Sequence, residues 1–187
     1  MKKSIKQSGG QFPQPVMIIA SYDAEGNPDA MNAAWVTMHA MDTIELVLSS
    51  HQSTDNIIAR RAFTVAPANA ANLVAADYVG TDSARKVADK AAKSGLTFTR
   101  SENVDAPVIE EFPVTMECEV IDVIGDANDA RIIGRVVNTL VEEDVLGEDG
   151  KVDFGKVGAV IYDPAHRSYR PVGAELGRAW NIGLELR

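Results

Sequence analysis

The order of patterns along the chain predicts a β-rich α+β domain, a closed or split antiparallel barrel decorated by helices. Alternating and β-branched runs dominate both ends of the 187 residues, with alanine-rich helical runs between them. Regular strand–helix alternation and a G-x-G-x-x-G loop are both missing, which argues against a doubly wound parallel sheet. No repeat, low-complexity tract or long linker divides the sequence, so residues 1–187 read as one domain. Composition and periodicity go no further than β-rich α+β.

The first strand is the apolar run from Pro15 to Tyr22, closed by the turn residues D-A-E-G-N-P. Ala30 to Met38 and Thr43 to Ser50 read as the next two strands, giving an opening antiparallel meander. Ser53 to Arg61 is a short helix with Ser53 or Thr54 as its N-cap. Phe63 to Ala66 is a brief strand stopped by Pro67. Ala68 to Tyr78 and Ser83 to Lys93 read as helices, the second ended by Gly95. Pro113 to Ile124 alternates and pairs with Arg131 to Glu142 as a long hairpin. The stretch E-D-V-L-G-E-D-G-K reads as an exposed acidic loop. Val157 to Tyr162 and Ser168 to Val172 are the last strands, and Ala174 to Trp180 reads as a terminal helical turn.

Lys plus Arg total 18 against 27 for Asp plus Glu, a net charge of −9. Such an acidic surface repels nucleic-acid phosphates and argues against that class of partner. The single cysteine, Cys118, permits no intrachain disulfide and no cysteine-only metal cage. Its place in V-T-M-E-C-E-V turns it toward the core with Met116 and Val120, a small buried hydrophobe rather than a redox thiol. No apolar run approaches the roughly 20 residues needed to span a bilayer. The N-terminus is basic without the apolar core of a signal peptide, so a cytoplasmic location and no membrane partner are the expectation. His39 and His166 have no His, Cys or paired carboxylate at ligand spacing, so no metal site is expected. His39 is a candidate for an open ligand face, and His166 for an exposed turn.

The segment richest in chemistry runs from Asn32 to Asn69. An apolar wall, N-A-A-W-V-T, is followed by L-V-L-S-S-H-Q-S-T-D-N-I and then F-T-V-A-P-A-N. Ser49, Ser50, His51, Ser53 and Thr54 end a strand and begin a helix. A helix start offers unpaired N–H groups and a positive dipole end, so it accepts an anion without a basic side chain. No Lys or Arg lies between Asn32 and Ala59. The pattern suits a flat ligand carrying a phosphate. Read alone, the same residues also describe a capped helix, Trp35 describes core or interface packing, and Lys90 a solvated helix face.

The chain resembles the flavin reductase-like family, which includes the flavoredoxins and folds as an FMN-binding split barrel. The resemblance rests on P-V-M-I-I at Pro15, the Asp23–Gly26 turn, Ala34-Trp35, the Ser49 to Ile57 run and Phe63-Thr64-Val65. It continues through Gly80, Ser83, Asp89-Lys90, Gly95-Leu96-Thr97, Glu117-Cys118 and Leu176 to Trp180. This resemblance implies FMN, with Ser49, Ser50, His51, Ser53 and Thr54 toward its phosphate and ribityl chain. Asn56 would orient that loop or touch the ribityl hydroxyls. Asn32, Ala34, Trp35 and Val36 would line the isoalloxazine pocket. Lys90 would approach the flavin, either at its N1–C2 edge or at its phosphate. The chain departs from the family at Asp29, where an asparagine is usual, and at Ala84 and Ala91, where Gly and Phe are favoured. The arginine common in or near the Ser49–Thr54 turn is replaced by His51 and Gln52 alone.

The resemblance further implies a homodimer with flavin sites near the interface. Electrons would pass from NAD(P)H or a reduced redox protein through FMN to a flavin, protein or small-molecule acceptor. No catalytic side chain is singled out, because hydride transfer to a flavin needs no protein nucleophile. A non-catalytic FMN-binding carrier or sensor, and a scaffold without flavin, are the alternatives.

Overall fold

In the computed structural model, residues 1–6 and 12–187 are described. Strands β1 (Gln14–Pro15), β2 (Met17–Tyr22), β3 (Pro28–Ala33), β4 (Val36–Ala40) and β5 (Thr43–Ser49) open the chain. Helix α1 (Gln52–Arg60), strand β6 (Ala62–Pro67) and helices α2 (Leu73–Thr81) and α3 (Lys90–Ser94) follow. Then come β7 (Phe98–Arg100), β8 (Pro107–Ile109), β9 (Val114–Ile124), β10 (Asp129–Val141), α4 (Phe154–Val157), β11 (Val160–Asp163) and β12 (Ser168–Pro171). No helix among the described residues is long and apolar enough to cross a membrane.

The main sheet is antiparallel, with order β3-β2-β6-β9-β10-β5-β4. The single strand expected from Ala30 to Met38 is therefore two strands, β3 and β4, at opposite edges of the sheet. The opening meander is corrected accordingly. A flat sheet of this size would hold its edges about 29 Å apart. Only Ala34 and Trp35 join them, and three Cα steps reach at most about 11 Å. The sheet must curl until its edges nearly meet, and the result is a split barrel. The Val47 N–H donates to the Trp35 carbonyl at 2.9 Å and so extends the β4–β5 ladder into this connection.

Ile19, Leu46, Phe63, Val65, Cys118 and Ile132 fill the barrel. The next residues along β2, Ile18 and Ala20, face the other way and pack under Ala76 and Val79 of α2. Burial on both faces explains why this strand reads as a continuous apolar run. The β9–β10 hairpin and the Cys118 orientation match the sequence reading.

Elsewhere tertiary contacts override local preference. The helix expected over Ser83 to Lys93 shortens to α3, because Arg85 and Lys90 are drawn to other elements. Its Gly95 stop holds, with φ +72. The helix expected from Ala68 begins at Leu73, since Asn69 and Asn72 bond the Glu111 carbonyl instead. Neither Ser53 nor Thr54 is the cap of α1; His51 occupies that position, and no side chain caps the helix. The acidic loop is not wholly exposed, since Val145 packs with Val114, Val157 and Ala159. Val157 closes α4 rather than starting β11, and the terminal turn lies at Ile182–Leu186 instead of Ala174 to Trp180.

Candidate functional site

The barrel seam and the start of α1 meet at the turn after β5. His51 holds an extended conformation there (φ −131, ψ 159), and Ser49 Oγ lies 3.1 Å from its Nε2. Thr54 Oγ1 donates to the Ser49 carbonyl at 2.7 Å, which fixes the turn against the helix. The first-turn N–H groups of α1 carry no side-chain cap, so this helix start stays open to an anion.

The turn does have an arginine, supplied from far along the chain. Arg85, in the loop before α3, donates from Nη1 to Ser50 Oγ at 3.0 Å and from Nη2 to the His51 carbonyl at 3.3 Å. It also pairs with Asp55 at 2.5 Å. Sequence reasoning missed it because nothing local ties S-A-R-K to a turn 34 residues earlier. Its place beside Ser83 in the stretch already singled out was the available signal.

A mainly apolar cleft of about 340 Å³ opens beside this turn, lined by Met31, Asn32, Ala33, Ala34, Trp35, Leu48, Ser49, His51 and Tyr162, among others. A small polar cavity of about 50 Å³ shares Met31, Asn32 and His51 with it and reaches Asp29, Ser53, Ser83 and Lys90. Asn32 is held in place from behind. Its Nδ2 donates to the Ala76 carbonyl at 3.1 Å and to the Tyr169 hydroxyl at 3.4 Å. Tyr169 in turn donates to Asp77 at 2.6 Å; burial first, and then that carboxylate, push its phenol up to about 12. Gly80 permits this close approach of α2, since a Cβ there would lie 2.8 Å from Asn32 Cβ.

Of the residues singled out from sequence, Asn32, Ala34, Trp35, Ser49 and His51 line the cleft together. Ser50 meets Arg85, while Ser53 and Lys90 line the small cavity. Lys90 is not solvated; it is 3% exposed and bonded to Asp29 and to the Ala30 carbonyl. Thr54 is buried beneath the turn. Val36 packs on the barrel core, and Asn56 lines a groove of about 450 Å³ that shares Asp29, Gln52, Ala84 and Lys90 with the small cavity but no residue with the cleft. Asn56 accepts from Gln52 at 2.9 Å, and its own Nδ2 is buried without a partner. His39 bonds Glu45, whose other oxygen accepts from Arg131 at 2.7 Å. His166 is exposed and bonds Asp163, whose carboxyl Arg170 and His166 hold down at about 2. Burial, reinforced by Glu117, pushes the Cys118 thiol up to about 12, so it stays protonated and unreactive.

An uncapped helix start with a convergent arginine thus adjoins an apolar cleft in the barrel seam, an arrangement whose chemistry suits a flat anionic ligand. The chain belongs to the flavin reductase-like domain family, which it matches over residues 9–170. It is similar to the flavoredoxin of Desulfovibrio vulgaris (Miyazaki F), with 34% identity and a TM-score of 0.91, covering 98% of this chain and 100% of that one. A flavoredoxin from Methanosarcina acetivorans shares the fold at 23% identity and a TM-score of 0.87, with 100% of both chains covered. So does an FMN-binding protein from Thermus thermophilus, at 18% identity and a TM-score of 0.77, covering 95% of this chain and 99% of that one.

Proposed function

We propose that the chain is a flavin-dependent oxidoreductase that holds FMN in the seam cleft. The observation that carries this reading is Arg85 at the open start of α1, bonded to Ser50 and to His51, the latter also lining the cleft walled by Ala34 and Trp35. The phosphate would sit on the free N–H groups of α1, with Ser50, His51 and Arg85 around it. The ring would lie along Asn32, Ala34 and Trp35, with Ser49 near the ribityl chain. A cleft of about 340 Å³ is of the size that takes such a ligand. The chemistry FMN supplies when bound is the exchange of electrons, singly or in pairs. The protein's part is to orient the ring, exclude water from one side of it and hold the phosphate.

The electron donor in this reading is NAD(P)H or a reduced redox protein, and the acceptor is a flavin, protein or small molecule. The test is an anaerobic spectral titration of the FMN-loaded protein with NADH and with NADPH. Bleaching by either supports a nicotinamide-dependent reductase. Its similarity to two flavoredoxins gives weight to a second reading, an electron carrier without nicotinamide activity. A yellow protein that neither nicotinamide bleaches, but a reduced redox protein does, would establish that one.

A homodimer belongs to the same proposal. The isolated chain exposes 11540 Å², whereas a folded monomer of 20.1 kDa exposes about 8,700 Å². The excess is apolar in part: Trp35, Met41, Leu176, Trp180 and Leu186 are each at least 70% exposed.

A further inference from the structure

The flavin reading leaves one buried ion pair without an assigned part. Lys90 Nζ lies 3.1 Å from Asp29 Oδ1, with side chains only 4% and 5% exposed. Lys90 also donates to the Ala30 carbonyl at 2.6 Å, and the second Asp29 oxygen accepts from Ser53 Oγ at 2.6 Å. The pair thereby joins β3, α3 and the first turn of α1. Desolvation consumes most of the attraction in such a pair, so stability alone is a poor reason for it. Both residues line the small cavity that shares Met31, Asn32 and His51 with the cleft. His51 and Asp82 are the other titratable groups lining it.

We propose that Asp29 sets the charge the flavin feels, by neutralising Lys90 and by fixing Ser53 at the helix start. The proposal rests on the flavin reading above and adds a residue to it. A reduced flavin carries more negative charge than an oxidised one. A free ammonium in this poorly screened cavity would therefore favour the reduced form, and a closed ion pair largely cancels that preference. Asp29 holds the cofactor's potential down, while Lys90 keeps its place as a donor.

The experiment measures dissociation constants of oxidised and of reduced FMN, anaerobically, for the wild type and three variants. Asp29→Asn keeps the shape and an acceptor for Ser53 but removes the charge. It should shift the ratio of the two constants toward the reduced form by about 10-fold or more. Lys90→Gln leaves Asp29 unpaired and should shift the ratio the other way. The double variant removes both charges at once and should return the ratio to within about 3-fold of wild type, because the two opposite charge effects cancel. Thermal melting of each variant reports its structural cost separately. Lower melting temperatures with an unchanged ratio overturn the proposal. Should Asp29→Asn fail to fold, the opposite shift in Lys90→Gln and its reversal in the double variant still decide. A wild-type chain that binds no FMN overturns the flavin reading and this proposal with it. Wild-type binding with unmoved ratios overturns this proposal alone.

Discussion

Arg85 donates to Ser50 Oγ at 3.0 Å across 35 residues, and so brings a guanidinium to a turn whose own sequence has no cation. The contact fastens the loop before α3 onto the start of α1. It also explains how an acidic chain of net charge −9 can present a local anion site. Asp55 keeps the guanidinium aimed, and an incoming phosphate would compete for it.

Removing that guanidinium should weaken phosphate-bearing ligands selectively. Charge-assisted bonds of this kind are worth about 1.5–3 kcal/mol. Arg85→Ala should therefore weaken FMN about 10- to 100-fold in both redox states, and leave riboflavin, which lacks the phosphate, nearly unaffected. Fluorescence-quenching titrations with FMN and riboflavin measure both. Equal losses for the two ligands would place Arg85 somewhere other than the phosphate.

What the sequence made legible follows the range of the interactions involved. Strand periodicity along β9 and β10 is local, and their pairing came through with Cys118 facing inward. The Gly95 stop is equally local. The break at Ala34–Trp35 was not legible, because both halves alternate well and only sheet order sends them to opposite edges. The short α3 was hidden for a related reason: alanine-rich composition favours helix, while Arg85 and Lys90 bond elsewhere. At the site, the cleft residues Asn32, Trp35, Ser49 and His51 share one stretch of chain and could be read together. Arg85 and the Asp29–Lys90 pair join distant stretches through side chains alone, and no spacing rule announces them.

Glu117 offers a test of the barrel's polar anchor. It is fully buried yet, among the described residues, meets no cation; Ser101, Asn138 and Asn103 donate to it instead. Burial opposes ionisation, but those three bonds outweigh it and hold the carboxyl below its ordinary value. A depressed carboxylate stabilises the fold above its unfolded pKa, and that contribution fades as pH falls through the folded value. Glu117→Gln sets amide protons against amide donors and should cost about 3 kcal/mol near neutral pH. The gap from wild type should narrow below about pH 4.3. Urea melts of both proteins across pH would measure it, and a constant gap down to the acid limit would contradict the assignment.

Gly80→Ala sets two effects against each other. Alanine gains about 1 kcal/mol of helix propensity over glycine. The added Cβ, however, would come to 2.8 Å from Asn32 Cβ, between α2 and β3, where backbone or side chain must move. Overpacking of this sort costs about 1–3 kcal/mol, so the net change should be destabilising. Asn32 should shift off the Ala76 carbonyl, and FMN affinity should fall with stability. A variant that melts higher and binds FMN unchanged would show that the contact relaxes freely.

The surface excess gives the oligomer prediction its scale. The exposed surface is about 2,800 Å² beyond the monomer expectation, part of it in the exposed residues 1–6 and 172–187, while a standard interface takes roughly 800 Å² from each partner. Two apolar features account for much of the exposed hydrophobic surface: Trp35 with Met38 and Met41 beside the seam, and the tail carrying Leu176, Trp180, Ile182 and Leu186. A second copy covering both would remove them from water, and charge repulsion at the rim would not prevent it. Light scattering at micromolar concentration should therefore give a dimer mass. Deleting residues 174–187 should shift that mass toward the monomer without unfolding the barrel, since the tail's backbone bonds are to its own residues. The chain has two tryptophans, so Trp35→Phe leaves Trp180 as a single reporter. Its emission should be blue-shifted in the dimer and move to the red on dilution. An emission already that of a solvated indole, in a protein of dimer mass, would mean that the interface forms without the tail.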